Sequence, residues 1–181
     1  MHVIDYVILG GWAIFWIGWL AASIGVKTGR TSWGRFAGIR VIIVLAVLLL
    51  ARVRVLRGHA VSELWLQAIG LAIFVLGLAL AVWARVYLGR NWGMPMTEKT
   101  DPELVTTGPY RTVRHPIYTG IILAMVGSAI AISVYWLVAV VLLGAYFVYS
   151  AVMEERHMAR TFPGTYPRYK QSTKMLIPFI L

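Results

Sequence analysis

Two short polar clusters in this sequence carry residue types that could bind a charged ligand. The first is Arg114-His115-Pro116, and the second is the acidic pair Glu154-Glu155. Proline is favoured in the first turn of a helix, so a helix is predicted to begin at His115-Pro116. A helix N-terminus offers unpaired N–H groups and a partial positive charge, which suit a carboxylate or a phosphate. Facing two carboxylates, it would match a ligand with an anionic and a cationic end, such as an amino-acid head group.

Each of these residues also has a purely structural explanation. Arg114 could orient the chain in a membrane, His115 could cap a helix, and adjacent glutamates could be solvated charges at an interface. The combination favours a site, because both acids lie on the side of the chain that is otherwise rich in basic residues. The connection before the first cluster, residues 91–115, is also longer than a helix connector needs to be.

The elements that must position these clusters are membrane-spanning helices. Of the 181 residues, 60% are hydrophobic and only 13% are charged, which is too apolar for a soluble domain of this size. A helix needs about 20 mostly apolar residues to cross the hydrocarbon core of a bilayer. We therefore predict an all-α integral membrane protein with about five transmembrane helices in one domain, residues 1–181. Residues 1–88 hold three spans and residues 89–181 hold the site. The predicted spans are residues 6–24, 39–55, 64–88, 117–133 and 135–153.

The last two predicted spans are joined by a very short connection, residues 132–136, which contains no charge and one candidate turn residue, Ser133. A tight antiparallel helical hairpin is therefore predicted. With its turn at the middle of this connection, His115 and Glu154 lie at equal depth, each about 29 Å of helix away. The sequence thus predicts that both polar clusters meet at one boundary of the bilayer.

The segments flanking this hairpin are predicted to cover the site. Residues 91–115 contain three prolines and are predicted to form a folded lid instead of one helix. Within and beside this lid, Tyr110 and Tyr118 could stack on a planar ligand or anchor the chain at the interface. After Glu155 we predict a short amphipathic helix and then a tail that packs on the cytoplasmic face and helps close the site.

The distribution of charge predicts the orientation. All but three of the 17 basic residues fall on one side of the predicted topology, the exceptions being Arg52, Arg54 and Arg57. The positive-inside rule then places the N-terminus outside and the C-terminus and site in the cytoplasm. Despite the net charge of +10, nucleic-acid binding is not indicated, because the basic residues form no continuous patch. Most tryptophans, including Trp12 and Trp19, are interpreted as interfacial anchors.

The same residues carry a resemblance to a known family. The sequence runs Leu104-Val105-Thr106-Thr107-Gly108-Pro109-Tyr110, then Arg114-His115-Pro116-Ile117-Tyr118-Thr119-Gly120, then Glu154-Glu155, Phe162, Tyr166, Tyr169 and Ile177-Pro178. This pattern closely resembles the isoprenylcysteine carboxyl methyltransferase family and its phospholipid methyltransferase relatives, in the form of a short, prokaryotic-type member. The resemblance covers residues 88–179, about half the chain.

The resemblance implies S-adenosyl-L-methionine as the cofactor and S-adenosyl-L-homocysteine as its product. It also implies that Glu154 receives the ammonium group of the cofactor and that the region of His115 receives its carboxylate. Met96 lies where some members place a glutamine contact. The cofactor contacts implied by position are Leu104 and Val105, largely through their backbone, with Tyr110, His115, Pro116, Tyr118 and Glu154.

The contact with the methyl acceptor departs from the family pattern. Members acting on prenylcysteine place an arginine four residues before the cofactor-binding glutamate, to receive the substrate carboxylate, and this position is Ser150 here. Arg85, late in the third span, or Arg40 could contact an anionic acceptor instead. For Arg85 the structural alternative is a side chain that extends toward the cytoplasmic interface.

The leading hypothesis is methyl transfer to a lipophilic, isoprenoid- or lipid-like acceptor that enters from the bilayer, with O-methylation of a carboxylate or similar group. Arg114, His115 and Glu155 are the candidate catalytic residues. An amine or phenol acceptor would require a base, for which Glu155 or His157 is the candidate. The alternatives are an NAD(P)H-dependent reductase of sterols or related lipids and a non-catalytic membrane scaffold. No metal site is predicted, and the sequence leaves the acceptor and the oligomeric state open.

Overall fold

The computed structural model describes residues 3–22, 29–31, 61–92, 97–99 and 103–178. Within these ranges the fold is helical apart from one short strand pair, which confirms the predicted class. The helices are α1 (Val3–Ala21), α2 (Leu64–Leu88), α3 (Pro116–Ile132), α4 (Leu137–Thr161) and α5 (Tyr166–Ser172). Strands β1 (Gly29–Thr31) and β2 (Thr97–Lys99) pair in antiparallel orientation. Single turns of 3-10 helix cover Gly89–Asn91, Gly108–Arg111 and Val134–Trp136.

Three of the described helical segments are long and apolar enough to cross a membrane, namely Val3–Ala21, Leu64–Asn91 and Val134–Thr161. Helix α3 is also apolar but has only 17 residues, fewer than a typical span. These helices correspond to the first, third, fourth and fifth predicted spans, and the chain is an integral membrane protein. The second predicted span, residues 39–55, lies outside the described residues.

Helices α2 and α3 pack so closely that their backbones touch. Gly70 and Gly77 lie seven residues apart on one face of α2, and Gly120 and Gly127 do the same on α3. A Cβ atom added at Gly70 would lie 2.6 Å from the backbone nitrogen of Ala131, and one added at Gly120 would lie 2.6 Å from the carbonyl oxygen of Gly77. Small residues permit this approach in a membrane, where helix association depends on van der Waals packing.

Helix α1 packs on this pair through aromatic side chains. Trp12 Nε1 donates a hydrogen bond to Ser128 Oγ at 3.1 Å, and its ring centroid lies 5.6 Å from that of Phe74. Trp19 is 9% exposed and belongs to the main core cluster. Both rings therefore pack against neighbouring helices, and their role as interfacial anchors stays a prediction.

Helices α3 and α4 form the predicted tight hairpin. Ser133 is extended after the end of α3, and the single 3-10 turn Val134–Trp136 leads directly into α4. Helix α4 then continues without a break to Thr161, so the residues after Glu155 are helical as predicted but form the last part of α4. Its length has a simple cause, since no proline or glycine follows Glu155 until residues 163 and 164.

Substitution of a contact glycine tests the close packing of α2 on α3. Gly127→Val is expected to lower the thermal unfolding midpoint of the protein in detergent, because its Cβ would meet the backbone of Phe74. Overpacking of this kind costs about 1–3 kcal/mol. Gly144→Val is the matched control, because a Cβ at Gly144 has no neighbour within 4 Å. Equal unfolding midpoints for the two variants would contradict the glycine contact.

Candidate functional site

The two polar clusters meet at the start of α3. His115 immediately precedes α3, which begins at Pro116 as predicted. The Nδ1 atom of His115 lies 3.4 Å from Glu154 Oε2, although the two residues belong to opposite arms of the hairpin. The Tyr118 hydroxyl donates a hydrogen bond to the other carboxylate oxygen, Glu154 Oε1, at 2.5 Å. The equal depth predicted from the hairpin turn is therefore confirmed.

A group of aromatic rings extends from the residues that contact Glu154. The rings of His115 and Tyr118 are stacked, with an interplanar angle of 3° and centroids 5.5 Å apart. Tyr118 also contacts Phe147 of α4, with a centroid distance of 4.9 Å. Tyr110, from the preceding loop, is buried in the same core cluster. Because the Glu154 side chain remains 27% exposed, this arrangement could bind a cationic group attached to a planar or apolar one.

Glu155 lies about 100° further around α4 and has a different environment. Arg114 Nε is 2.6 Å from its Oε1 atom, and Lys170 Nζ is 2.7 Å from its Oε2 atom. His115 Nε2 lies 3.7 Å from Oε1, and only 4% of the Glu155 side chain is exposed. Each carboxylate oxygen therefore has a cationic partner, which stabilises its charged form. This geometry favours a structural clamp over proton transfer for both Arg114 and Glu155.

The segment after α5 is bonded to the start of α3 through its main chain. The Arg114 amide donates to the Lys174 carbonyl at 2.8 Å, and the His115 amide donates to the Met175 carbonyl at 3.0 Å. The tail therefore occupies two backbone donors, the Arg114 and His115 amides, next to the predicted anion-binding helix N-terminus. Within the first turn of α3, Pro116 has no amide hydrogen and the Thr119 amide donates to the His115 carbonyl at 3.1 Å, so the amides of Ile117 and Tyr118 are the remaining candidate donors for a ligand.

The loop before α3 supplies part of the predicted lid. Tyr110 is 6% exposed, and its carbonyl oxygen accepts a hydrogen bond from the Tyr169 hydroxyl at 2.7 Å. Burial raises the pKa of Tyr169 to about 12, which favours the protonated hydroxyl that donates this bond. Val105 packs on the same core cluster and Leu104 is partly buried beside it in sequence. Met96 lies outside the described residues.

Arg85 lies buried at the C-terminal end of α2. Its guanidinium donates to the carbonyl oxygens of Gly89 at 2.8 Å and Ala22 at 2.6 Å. It also lies over the ring of Trp92, 4.5 Å from the centroid. Both carbonyls follow helix C-termini, where the partial negative charge suits a cation. These contacts tie α1 to α2 and favour a packing role over the predicted acceptor contact. Arg40 lies outside the described residues.

Comparison with known proteins identifies the family. The model of the phospholipid methyltransferase family matches residues 65–165, which is more than half of the chain. The chain belongs to the phospholipid methyltransferase family. The matched region runs from α2 through the polar loop to the end of α4, so it contains both polar clusters, and the resemblance stated from the sequence is confirmed.

This family member matches individual relatives over part of their length. The chain is 30% identical over 140 residues to the nickel-cobalt-cadmium resistance protein NccN of Alcaligenes xylosoxydans xylosoxydans, covering 75% of the chain and 62% of that protein. It is 26% identical over 120 residues to protein-S-isoprenylcysteine O-methyltransferase B of Arabidopsis thaliana, covering 64% of the chain and 61% of that protein. The chain therefore spans about three-fifths of the length of these relatives.

A solved structure is also similar. It is that of the eukaryotic intramembrane Ras methyltransferase, isoprenylcysteine carboxyl methyltransferase, which matches with a TM-score of 0.59 and 29% sequence identity. The match covers 64% of this chain and 43% of that chain. The helical membrane fold is thus shared with a member whose own name describes methyl transfer.

The family match does not reach two residues that sequence reasoning missed. Lys170, which binds Glu155, has no signal in the sequence beyond its positive charge. Thr173 is 8% exposed, and its carbonyl oxygen accepts a hydrogen bond from Arg114 Nη1. Both lie beyond residue 165, in or next to a seven-residue helix that is too short to show a periodic pattern. The nearby pair Tyr166 and Tyr169, which belongs to the family pattern, is the sequence feature that points to this segment.

Ser150, the departure from the prenylcysteine-type pattern, lies one helical turn before Glu154 on α4. It is fully buried, and its hydroxyl makes no hydrogen bond with any of the residues that the structure describes. A buried hydroxyl without a partner costs about 1–3 kcal/mol. Position 150 therefore carries a small neutral group where the prenylcysteine-type pattern has an arginine.

The charge of His115 is predicted to make the stability of the protein depend on pH. Burial on its own would lower the pKa of His115, but the interactions with Glu154 and Glu155 raise it above the ordinary value of 6.5. A pKa raised by folding means that the protonated ring stabilises the folded state. This stabilisation is complete below pH 6.5 and is lost as the pH rises through the raised pKa.

The His115→Gln variant is therefore expected to lose most stability at about pH 6 and progressively less toward about pH 9. The measurement is the difference in thermal unfolding midpoint between wild type and variant across this range in one detergent. His157→Gln, on the same hairpin, is the matched control. A difference for His115→Gln that stays constant with pH would contradict a charged histidine between the two acids.

Arg85→Lys tests whether Arg85 serves packing. An ammonium group cannot reproduce the two fixed donors of the guanidinium, so the free energy of unfolding is expected to fall by about 1–3 kcal/mol. Denaturant titration of the purified protein measures the change, and Arg90→Lys is the control because Arg90 is exposed. Unchanged stability of Arg85→Lys would favour a ligand contact instead.

Proposed function

We propose that this protein is an integral membrane methyltransferase that uses S-adenosyl-L-methionine. The observation that carries the proposal is the partly exposed Glu154 carboxylate, which His115 and Tyr118 hold at the N-terminus of a helix. Membership of the phospholipid methyltransferase family supports it. The relatives named as methyltransferases favour it over an NAD(P)H-dependent reductase or a scaffold.

The residues around Glu154 fit the chemistry of this cofactor. The carboxylate is suited to an ammonium group, and the rings of Tyr110, Tyr118 and Phe147 offer faces to a sulfonium and an adenine. The first-turn amides of α3, after His115, are suited to a carboxylate. When bound, the cofactor supplies an activated methyl group, whose bonding electrons stay with the sulfur when the methyl is transferred.

The proposed acceptor is a lipophilic molecule that reaches the site from the bilayer and presents a carboxylate or similar oxygen. An anionic oxygen needs no general base, so the protein contributes alignment of the two reactants and exclusion of water. The clamp that occupies both oxygens of Glu155 supports this reaction type, because it leaves neither oxygen in place to accept a proton. Arg114 and Glu155 then act by fixing the start of α3, and His115 acts by orienting Glu154.

We also propose that the site and the C-terminus face the cytoplasm. Exposed basic residues surround this end of the hairpin, and the positive-inside rule assigns such a concentration to the cytoplasmic side. These residues are Arg111, Arg156, Arg160, Arg168, Lys170 and Lys174.

The proposed cofactor site is tested by removing the charge of Glu154. Glu154→Gln is expected to lower the affinity for S-adenosyl-L-homocysteine by about 10- to 100-fold, because a hydrogen bond to a charged group contributes about 1.5–3 kcal/mol. Isothermal titration calorimetry on the purified protein measures the affinity. Glu63→Gln, at the exposed start of α2, is the matched acidic control. Unchanged affinity in Glu154→Gln would reject this assignment of the ammonium contact.

A further inference from the structure

The segment over residues 166–176 crosses the start of α3, and we call it the strap. Its main chain is bonded to the residues that precede α3, since Lys174 exchanges hydrogen bonds with Thr112 and Arg114 at 3.3 and 2.8 Å. Beyond these bonds, Leu176 is 5% exposed and belongs to the core cluster. The strap is therefore part of the wall of the site.

One side chain of the strap reaches a buried charge. Lys170 is 53% exposed, yet its ammonium group lies 2.7 Å from Oε2 of Glu155, which is only 4% exposed. Arg114 holds the other oxygen of Glu155 and also donates to the Thr173 carbonyl. An exposed ion pair contributes little to stability, but loss of one partner of a buried carboxylate leaves its charge partly uncompensated. The Lys170 contact belongs to the second case, because its partner Glu155 is buried.

A neighbouring base shows that this contact is specific. Arg168 lies on the same helix two residues earlier and is also exposed. It takes part in none of the ion pairs formed among the described residues, whereas Lys170 does. Of these two basic residues of α5, the geometry therefore selects Lys170.

We propose that Lys170 is a positioning residue for the cofactor site, an inference that rests on the proposed methyltransferase function. Lys170 acts through a chain of contacts and does not touch the cofactor itself. It holds Glu155 and thereby seats the strap, and the strap carbonyl of Met175 holds the His115 amide. His115 in turn orients Glu154, so a loosened strap displaces the carboxylate that receives the ammonium group.

The experiment compares Lys170→Met, Lys170→Arg and Arg168→Met in full-length protein reconstituted in lipid nanodiscs. Calorimetry with S-adenosyl-L-homocysteine gives the dissociation constant. Hydrogen exchange gives the protection of the Arg114, His115 and Lys174 amides, which does not depend on any methyl acceptor. The thermal unfolding midpoint without ligand shows whether each variant is folded.

Lys170→Met is expected to raise the dissociation constant by about three- to tenfold, because its partner is buried while the lysine itself is half exposed. It is also expected to speed exchange of the Arg114, His115 and Lys174 amides while the protein stays folded. Lys170→Arg is expected to restore both values, and Arg168→Met to match the wild type.

Equal affinity for wild type and Lys170→Met would overturn the positioning role and leave the proposed function intact. Failure of Lys170→Arg to restore the affinity, or an equal loss in Arg168→Met, would also overturn it, since the effect would then not depend on the pair with Glu155. Failure of the wild type itself to bind S-adenosyl-L-homocysteine would instead overturn the proposed function, and the positioning role with it.

Discussion

The site depends on how the buried charge of Glu155 is balanced. A carboxylate without partners in a low-dielectric interior costs several kcal/mol, so its position is tolerated only where cations are fixed beside it. Arg114 comes from the residue before the cap of α3 and Lys170 comes from the strap, so one acid on α4 determines where two other segments must lie. His115 is placed by the same constraint, because it follows Arg114 directly.

The two helix interfaces of the hairpin half have opposite characters. Helices α2 and α3 touch backbone to backbone at Gly77 and Gly120, which leaves no space for a ligand between them. Near the site, α3 and α4 are instead separated by the rings of Tyr118 and Phe147. A functional site requires rigid elements and side chains that line it. The interface of α2 and α3 supplies the rigidity, and the interface of α3 and α4 supplies the side chains. The glycine contact therefore supports the site without contributing an atom to it.

The part of the site that could be predicted from sequence is the part set by local rules. A proline marks the start of α3, a long apolar run marks α4, and a short turn joins them. These three features together predict that His115 meets Glu154. The path of the strap could not be predicted. Lys170 reaches Glu155 through tertiary contacts of the short helix α5, which follows the helix-breaking residues 163 and 164. The contact between α2 and α3 could not be predicted either. The spacing of the glycines is visible in the sequence, but the sequence does not show which helix packs against them.

The acids Glu154 and Glu155 are adjacent in sequence but are not interchangeable, because consecutive helix positions point about 100° apart. Glu155 has a cation on each oxygen, whereas Glu154 is partly exposed and bonded to a tyrosine hydroxyl. His115 connects them, with Nδ1 3.4 Å from Glu154 and Nε2 3.7 Å from Glu155. One imidazole therefore lies between the carboxylate that holds the fold and the carboxylate that we propose receives the ligand. A change in charge at Glu155 is therefore expected to alter the orientation of Glu154, even though the two side chains point in different directions.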